Sequence, residues 1–204
     1  MSLGRIWRWV TGTDDPEQRR FDLVIVDAPA TGHALSLLRL PRQLIAMIRF
    51  GPLVAQVKQL RGLLEDHKQS CLALTTLPEE LPANETIAFY PVAANTLNMA
   101  VAVTFINGVY PDHFTARQKI RISNLLSAMP DRADDDICRL LLETTRREIM
   151  RRSIQDHYII QIQSHTAAGA VIEIPFYPTN ALSLEEIQRI SASFKTSNTT
   201  GAVS

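Results

Sequence analysis

The sequence predicts an α/β fold in which a parallel sheet is covered on both faces by helices. Two observations carry this. Short apolar runs rich in β-branched residues (Phe21–Asp27, Ser70–Leu77, Ala100–Asn107 and Gly169–Pro175) alternate with longer stretches of helical periodicity. Each run is also continuously apolar rather than alternating, the mark of a strand buried on both faces. The order shows no internal repeat and no low-complexity tract, and its 204 residues suit one domain with a helical appendage.

Taken in order, Leu3–Val10 reads as a helix and Thr11–Gln18 as a polar loop. Phe21–Asp27 (FDLVIVD) is a buried strand that runs into the tight loop Ala-Pro-Ala-Thr-Gly. Leu35, Leu38 and Ile45, then Leu53, Val57, Leu60 and Leu64, recur at helical spacing and give two helices broken at Gly51-Pro52. After the second strand, Asn84–Met99 is a helix with Asn84 as its N-cap, kinked or split at Pro91. Thr115–Ser127 and Asp131–Gln163 follow the third strand as helices; Glu143/Arg147 and Glu148/Arg152 stand at i,i+4 on the longer one. Ser183–Phe194 is a last amphipathic helix with Glu185 and Glu186 in its first turn, and Thr196–Ser204 is a loose tail.

Composition excludes several classes. Hydrophobic residues make up 46% and charged residues 21%, which argues against a disordered chain. Lysine plus arginine balances aspartate plus glutamate at 21 each, so nothing points to nucleic acid. The longest apolar run, around Met99–Ile106, falls far short of the roughly 20 residues that span a bilayer. Trp7, Trp9 and Val10 lie among arginines rather than in a signal-peptide core, and a cytoplasmic protein is the expectation. Cys71 and Cys138 are too far apart to form a paired metal motif, and Cys71 reads as a buried structural thiol.

Ligands of parallel sheets bind beyond the carboxyl ends of the strands, which here carry Asp27, Thr76, Asn107 and Pro175. The segment Asp27–His33, DAPATGH, is the richest of these. A carboxylate at a strand end suits a magnesium shell, directly or through water. Pro29 and Gly32 shape a loop whose backbone N–H groups can face an anion, and the positive end of the next helix opens on the same space. Polar loops after strands are common, so Asp27 alone says little, whereas the whole heptapeptide is far more specific.

DAPATGH followed by ALSLLRLP resembles the switch II segment of the arsenite-pump ATPase family, which includes the tail-anchored-protein targeting ATPases. Leu74–Thr86 (LTTLPEELPANET), Phe105–Val109 (FINGV) and Ile172–Phe176 (IEIPF) match further family segments in family order, and the resemblance covers Leu3 to Phe194. It implies a P-loop-NTPase-like parallel sheet and a partial nucleotide-binding domain over 1–195, with 196–204 as a disordered tail. It further implies ATP and Mg2+ as cofactors. Asp27 then holds magnesium through a water, and the Gly32 N–H meets the γ-phosphate in a loop that moves between ATP and ADP states. Pro29, Thr31 and His33 complete the motif, with Thr31 and His33 relaying the nucleotide state to the next helix. Asn107 hydrogen-bonds the adenine edge, and Pro175 and Phe176 lie where the loop closing the base pocket begins. Glu79, Glu80 and Glu85 match an acidic segment on the nucleotide and dimer side, although a helix-start acid cluster explains them equally well. The implied partners are a second copy or paired ATPase half and a membrane transporter, placing the chain at the inner face of the membrane.

Two family segments have no counterpart. The Gly-rich loop G-K-G-G-V-G-K-T-T is absent, since Gly4 and Gly12 are the only glycines before Phe21 and no lysine precedes Lys58. Switch I, with its catalytic aspartate, is absent too. Without these the phosphates lose their main cradle and the attacking water its orienting group. Leu3–Val10 resembles the helix before the switch II strand, so the chain reads as an N-terminally truncated ATPase fragment, inactive in isolation and exposing unpaired edges. The alternative is a degenerate, non-enzymatic module that keeps the partner surface. Pro41–Asp66 is short and has Met47 alone, which leaves a Met-rich client groove unsupported. His67, His113, His157 and His165 show no ligand spacing. Arg146, Arg147, Arg151 and Arg152 read as a solvated basic helix face.

Overall fold

The computed structural model describes Val10 and residues 21–48, 50–128, 136–166, 170–179 and 182–197. The expected helix Leu3–Val10, apart from Val10, the loop Thr11–Gln18 and the tail Thr196–Ser204 beyond Ser197 lie outside the described residues; Thr196 and Ser197 belong to the last helix instead of the tail. The chain forms two compact units, Met1–Leu72 with Ala88–Val101, and Ala73–Ile87 with Ala102–Ser204.

The first unit is built on two helices, α1 (Thr31–Met47) and α2 (Pro52–Glu65), packed against each other. Gly51 separates them at φ +116°, a conformation that other residues reach only with strain, and Pro52 then opens α2 where its missing N–H costs nothing. Pro41 lies inside α1 and is buried. Arg42 beside it reaches across the unit, its guanidinium donating to Glu65 Oε1 at 3.0 Å and to the carbonyls of Leu97 (3.1 Å) and Thr96. His67 Nε2 lies 3.2 Å from the carbonyl of Asn98, which has φ +54°. These groups close the C-terminal end of a π-helical stretch, Val92–Leu97, whose last carbonyls would otherwise lack partners.

One expected strand does not form. Phe21–Asp27 has no strand structure, and Leu23 and Ile25 are 74% and 83% exposed. A continuously apolar strand is stable only with a neighbour on each edge and a layer on each face, and local sequence cannot supply those. The four-strand expectation is thereby corrected to three among the described residues.

Those three, β1 (Leu72–Thr76), β2 (Val101–Val109) and β3 (Ala170–Pro175), form a parallel sheet in the order β1-β2-β3. Helix α3 (Glu80–Pro91) follows β1 and ends where Pro91 hands over to the π stretch, so the split at Pro91 is as expected. Asn84, however, lies within α3, which starts at Glu80, and is not its N-cap. Helices α4 (Ala116–Ala128) and α5 (Asp136–His165) connect β2 to β3, and α6 (Leu184–Ser197) closes the described chain. Thr115 and Gln118 cap α4 reciprocally: Thr115 N–H donates to Gln118 Oε1 at 2.8 Å, and Gln118 N–H to Thr115 Oγ1 at 3.4 Å. Ser183 and Glu186 do the same for α6, at 2.7 and 3.2 Å.

The core of the second unit joins Ala83 of α3, Ile106 and Val109 of β2, and Ile159 and Ile162 of α5. On the other face of β2, Phe105 packs against Phe194 of α6 with ring centroids 5.2 Å apart. Helices thus lie on both faces of β2, whereas Ala73 and Thr75 leave one face of β1 exposed, so the expectation of burial on both faces fails for that edge strand. Among the described residues no helix is long and apolar enough to cross a membrane. Cys71 is exposed, contrary to expectation, because it precedes β1 instead of belonging to it.

Candidate functional site

The predicted site residues fall in both units. In the first, Asp27, Pro29, Gly32 and His33 are exposed and Thr31 is half-buried. Thr31 is the first residue of α1, whose N-cap is Ala30. Alanine has no side-chain acceptor, so the N-cap residue makes no side-chain cap bond. The Ala30 carbonyl takes the N–H groups of His33 (2.9 Å) and Ala34 (3.1 Å), closing the first turn. A Cβ on Gly32 would meet nothing within 4 Å, so the space beside its backbone is open to a ligand. The Gly32 backbone, open on one side, and the positive end of the helix favour an anion here.

Asp27 stands four residues before Thr31, with an exposed carboxylate. Among the described residues no group of three His, Cys, Asp or Glu side chains forms a metal cage. Magnesium does not need one: it retains several waters and is held by one or two carboxylates plus substrate phosphates. A single accessible carboxylate fits that demand.

In the second unit the site lies at the carboxyl end of the sheet. The β2–β3 register runs from Val103↔Ala170 to Ile106↔Glu173 and resumes at Val109↔Pro175. Three steps on β2 meet two on β3, so Asn107-Gly108 forms a bulge with one extra residue. Gly108 takes φ +71°, which suits glycine. The bulge also returns Val109 to the core-facing side shared with Ile106. The Asn107 side chain is exposed at this kink, and its Oδ1 accepts the Gly108 N–H at 2.9 Å. Because an N–H can only donate, that bond fixes which end of the amide is oxygen and leaves the NH2 end for a ligand.

Pro175 ends β3, and the Phe176 N–H donates to the Val109 carbonyl at 2.8 Å, tying the next loop to β2. The Phe176 ring stacks on Tyr110 with centroids 4.6 Å apart, and the Arg151 guanidinium lies 4.8 Å from the Tyr110 ring centroid. Phe176 remains 41% exposed, so this aromatic ledge is accessible. Asn107, Pro175 and Phe176 are therefore brought to one end of one sheet, as the sequence predicts.

Tyr110, Arg152 and Gln155 were not legible as parts of this end. Arg152 is not a solvated arginine: its guanidinium donates to the Tyr110 carbonyl at 2.7 Å and pairs with Asp156 at 2.7 Å. Along α5, Glu143 pairs with Arg139 rather than with the residue four further on. Beyond Tyr110, Lys119 donates to Asp112 at 2.8 Å, and that bond, with the Phe114 N–H, holds the Asp112 carboxyl below its ordinary value. Glu79, Glu80 and Glu85 are exposed; Glu80 lies in the first turn of α3 and suits the helix dipole, whereas Glu85 lies in mid-helix.

Comparison with known proteins supplies the frame for these features. The sequence model of the anion-transporting ATPases matches residues 1–196. This chain belongs to that family. Among curated relatives, the proteins named "ATPase BagA" of Mycobacterium tuberculosis and "Putative ATPase Mb3704" of Mycobacterium bovis are each 26% identical to it over 152 residues. The match covers 69% of this chain and 44% of each relative, so the chain spans less than half the length of the relatives it matches. Family membership accords with a P-loop-NTPase-like fold, and three parallel strands between helices agree with it.

Proposed function

We propose that this chain is the switch II and base-binding portion of a magnesium-dependent ATPase of the arsenical-pump-driving type. The observation that carries the reading is the open space beside Gly32 in the first turn of α1, just after Asp27, in a chain of this family. The Gly32 N–H faces the terminal phosphate, with Asp27 holding magnesium through a water. Magnesium, when bound, supplies charge neutralisation at the phosphate oxygens. Thr31 and His33, in the first turn of α1, pass the nucleotide state along that helix. Asn107, Pro175 and Phe176 receive the adenine, whose ring suits an aromatic ledge and whose edge suits a carboxamide.

The 204 residues contain neither the lysine loop nor the switch I aspartate, so binding without turnover is the expected behaviour of this chain by itself. The family reading adds a second copy or a paired ATPase half, and a transporter at the inner face of the membrane, as partners. Equilibrium titration with Mg-ATP, alongside phosphate release, tests the proposal. Binding weakened about tenfold by Asp27→Ala, without phosphate release, is expected. Turnover that Asp27→Ala abolishes would overturn the claim of inactivity.

A second reading, a non-enzymatic partner-binding module of the same fold, draws on the exposed Leu23, Ile25, Met47 and Phe50 of the first unit. A cooperatively folded chain without nucleotide affinity would favour it.

A further inference from the structure

We propose that Gln155 is a positioning residue for base recognition. By gripping the Asn107-Gly108 bulge from the long helix, it fixes the direction in which the Asn107 carboxamide meets a purine. The inference rests on the nucleotide reading above and adds to it a residue and a cause of base selectivity.

Gln155 is 5% exposed and lies on α5. Both ends of its amide go to backbone groups flanking the bulge. Nε2 donates to the Gly108 carbonyl at 3.0 Å, and Oε1 accepts the Tyr110 N–H at 2.8 Å. A bulge disrupts the regular ladder and releases backbone groups that then need other partners. A carboxamide offers a donor and an acceptor side by side; an ionised glutamate only accepts, and a lysine only donates. Gly108 is consequently held on both sides, its N–H by Asn107 Oδ1 and its carbonyl by Gln155. Arg152, three residues earlier on α5, adds a bond to the Tyr110 carbonyl. With the Gly108 peptide fixed, the Asn107 side chain bonded to it has one preferred direction. At φ +71°, Gly108 gives that segment no rigidity of its own, so the constraint comes from outside the strand.

The test compares ATP with inosine triphosphate, which differ at the base edge and share their phosphates. Calorimetric titration of the full 204-residue chain gives the ratio of the two affinities. We expect Gln155→Met, an apolar replacement of similar length, to lower the preference for ATP about tenfold. In an Asn107→Ala background the same change should leave the ratio unaltered, because Gln155 acts through Asn107. A merely structural role would weaken both nucleotides alike and would add to Asn107→Ala. Should Gln155→Met fail to melt cooperatively, Gln155→Glu keeps the oxygen that accepts from Tyr110 and carries the same comparison. A wild-type chain that binds neither nucleotide overturns the nucleotide reading and this proposal together. A wild-type chain that prefers ATP, with the preference intact in the Gln155 variants, overturns this proposal alone.

Discussion

Arg42 shows how unequal individual contacts are. Its planar guanidinium serves a carboxylate and two helix-end carbonyls at once, and its side chain is 35% exposed. Arg61 approaches the same Glu65 at 3.5 Å from a side chain that is 43% exposed. Removing the first leaves carbonyls without partners, whereas removing the second loses a screened surface pair. Arg42→Ala should therefore cost about 2 kcal/mol and Arg61→Ala less than about 0.5 kcal/mol, read from urea midpoints at constant slope. Arg42→Lys should not restore the loss, because an ammonium cannot hold three acceptors in one plane. Equal effects of the two alanine variants would show that the carbonyl contacts contribute little.

At the scale of elements, helix ends carry a testable pH dependence. The Ser183 N–H donates to Glu186, and together with the Ser183 hydroxyl contact it holds the Glu186 carboxyl below its ordinary value of 4.5. A carboxyl lowered by folding stabilises the folded state above its unfolded value, and that contribution disappears as pH falls through the lower folded value. Amide protection in the first turn of α6 should stay level from neutral pH to about 4.5 and decline below it. In Glu186→Gln, whose amide oxygen still accepts from Ser183, the decline should be absent. An identical decline in that variant would assign it to another group. The bulge in β2 belongs to this scale as well. It depends on Gly108 within the strand and on Gln155 from α5, 47 residues away.

For the whole molecule, the uncovered apolar side chains set solution behaviour. Leu23, Ile25, Met47 and Phe50 are at least 74% exposed, far more apolar surface than a solitary side chain presents. Exposed apolar side chains grouped like these recruit other chains. The purified chain should sediment as a concentration-dependent mixture. The double variant Leu23→Lys with Ile25→Lys should raise the soluble monomer fraction several-fold without altering the melt of the sheet. A single monomeric species at all concentrations, with one cooperative melt, would contradict this.

Much was legible because it is local. Apolar runs gave three of the strands to within two residues or so at each end, Gly51-Pro52 gave the break between α1 and α2, and Pro91 gave the split of α3. The motifs DAPATGH and FINGV gave the family, which the match over residues 1–196 establishes. Three features were decided only by tertiary structure. Phe21–Asp27 has the composition of a strand but no strand structure. The bulge at Asn107-Gly108 exists through its pairing with β3. Arg152 and Gln155 look like ordinary residues of a helix face until α5 packs on the sheet and their side chains meet the backbone at Gly108 and Tyr110. The physical reason is common to all three. Periodicity and turn chemistry act within a few residues and are written in the order of the chain. Edge pairing and buried hydrogen bonds join residues far apart in the chain, and their partners are chosen only once the chain has packed.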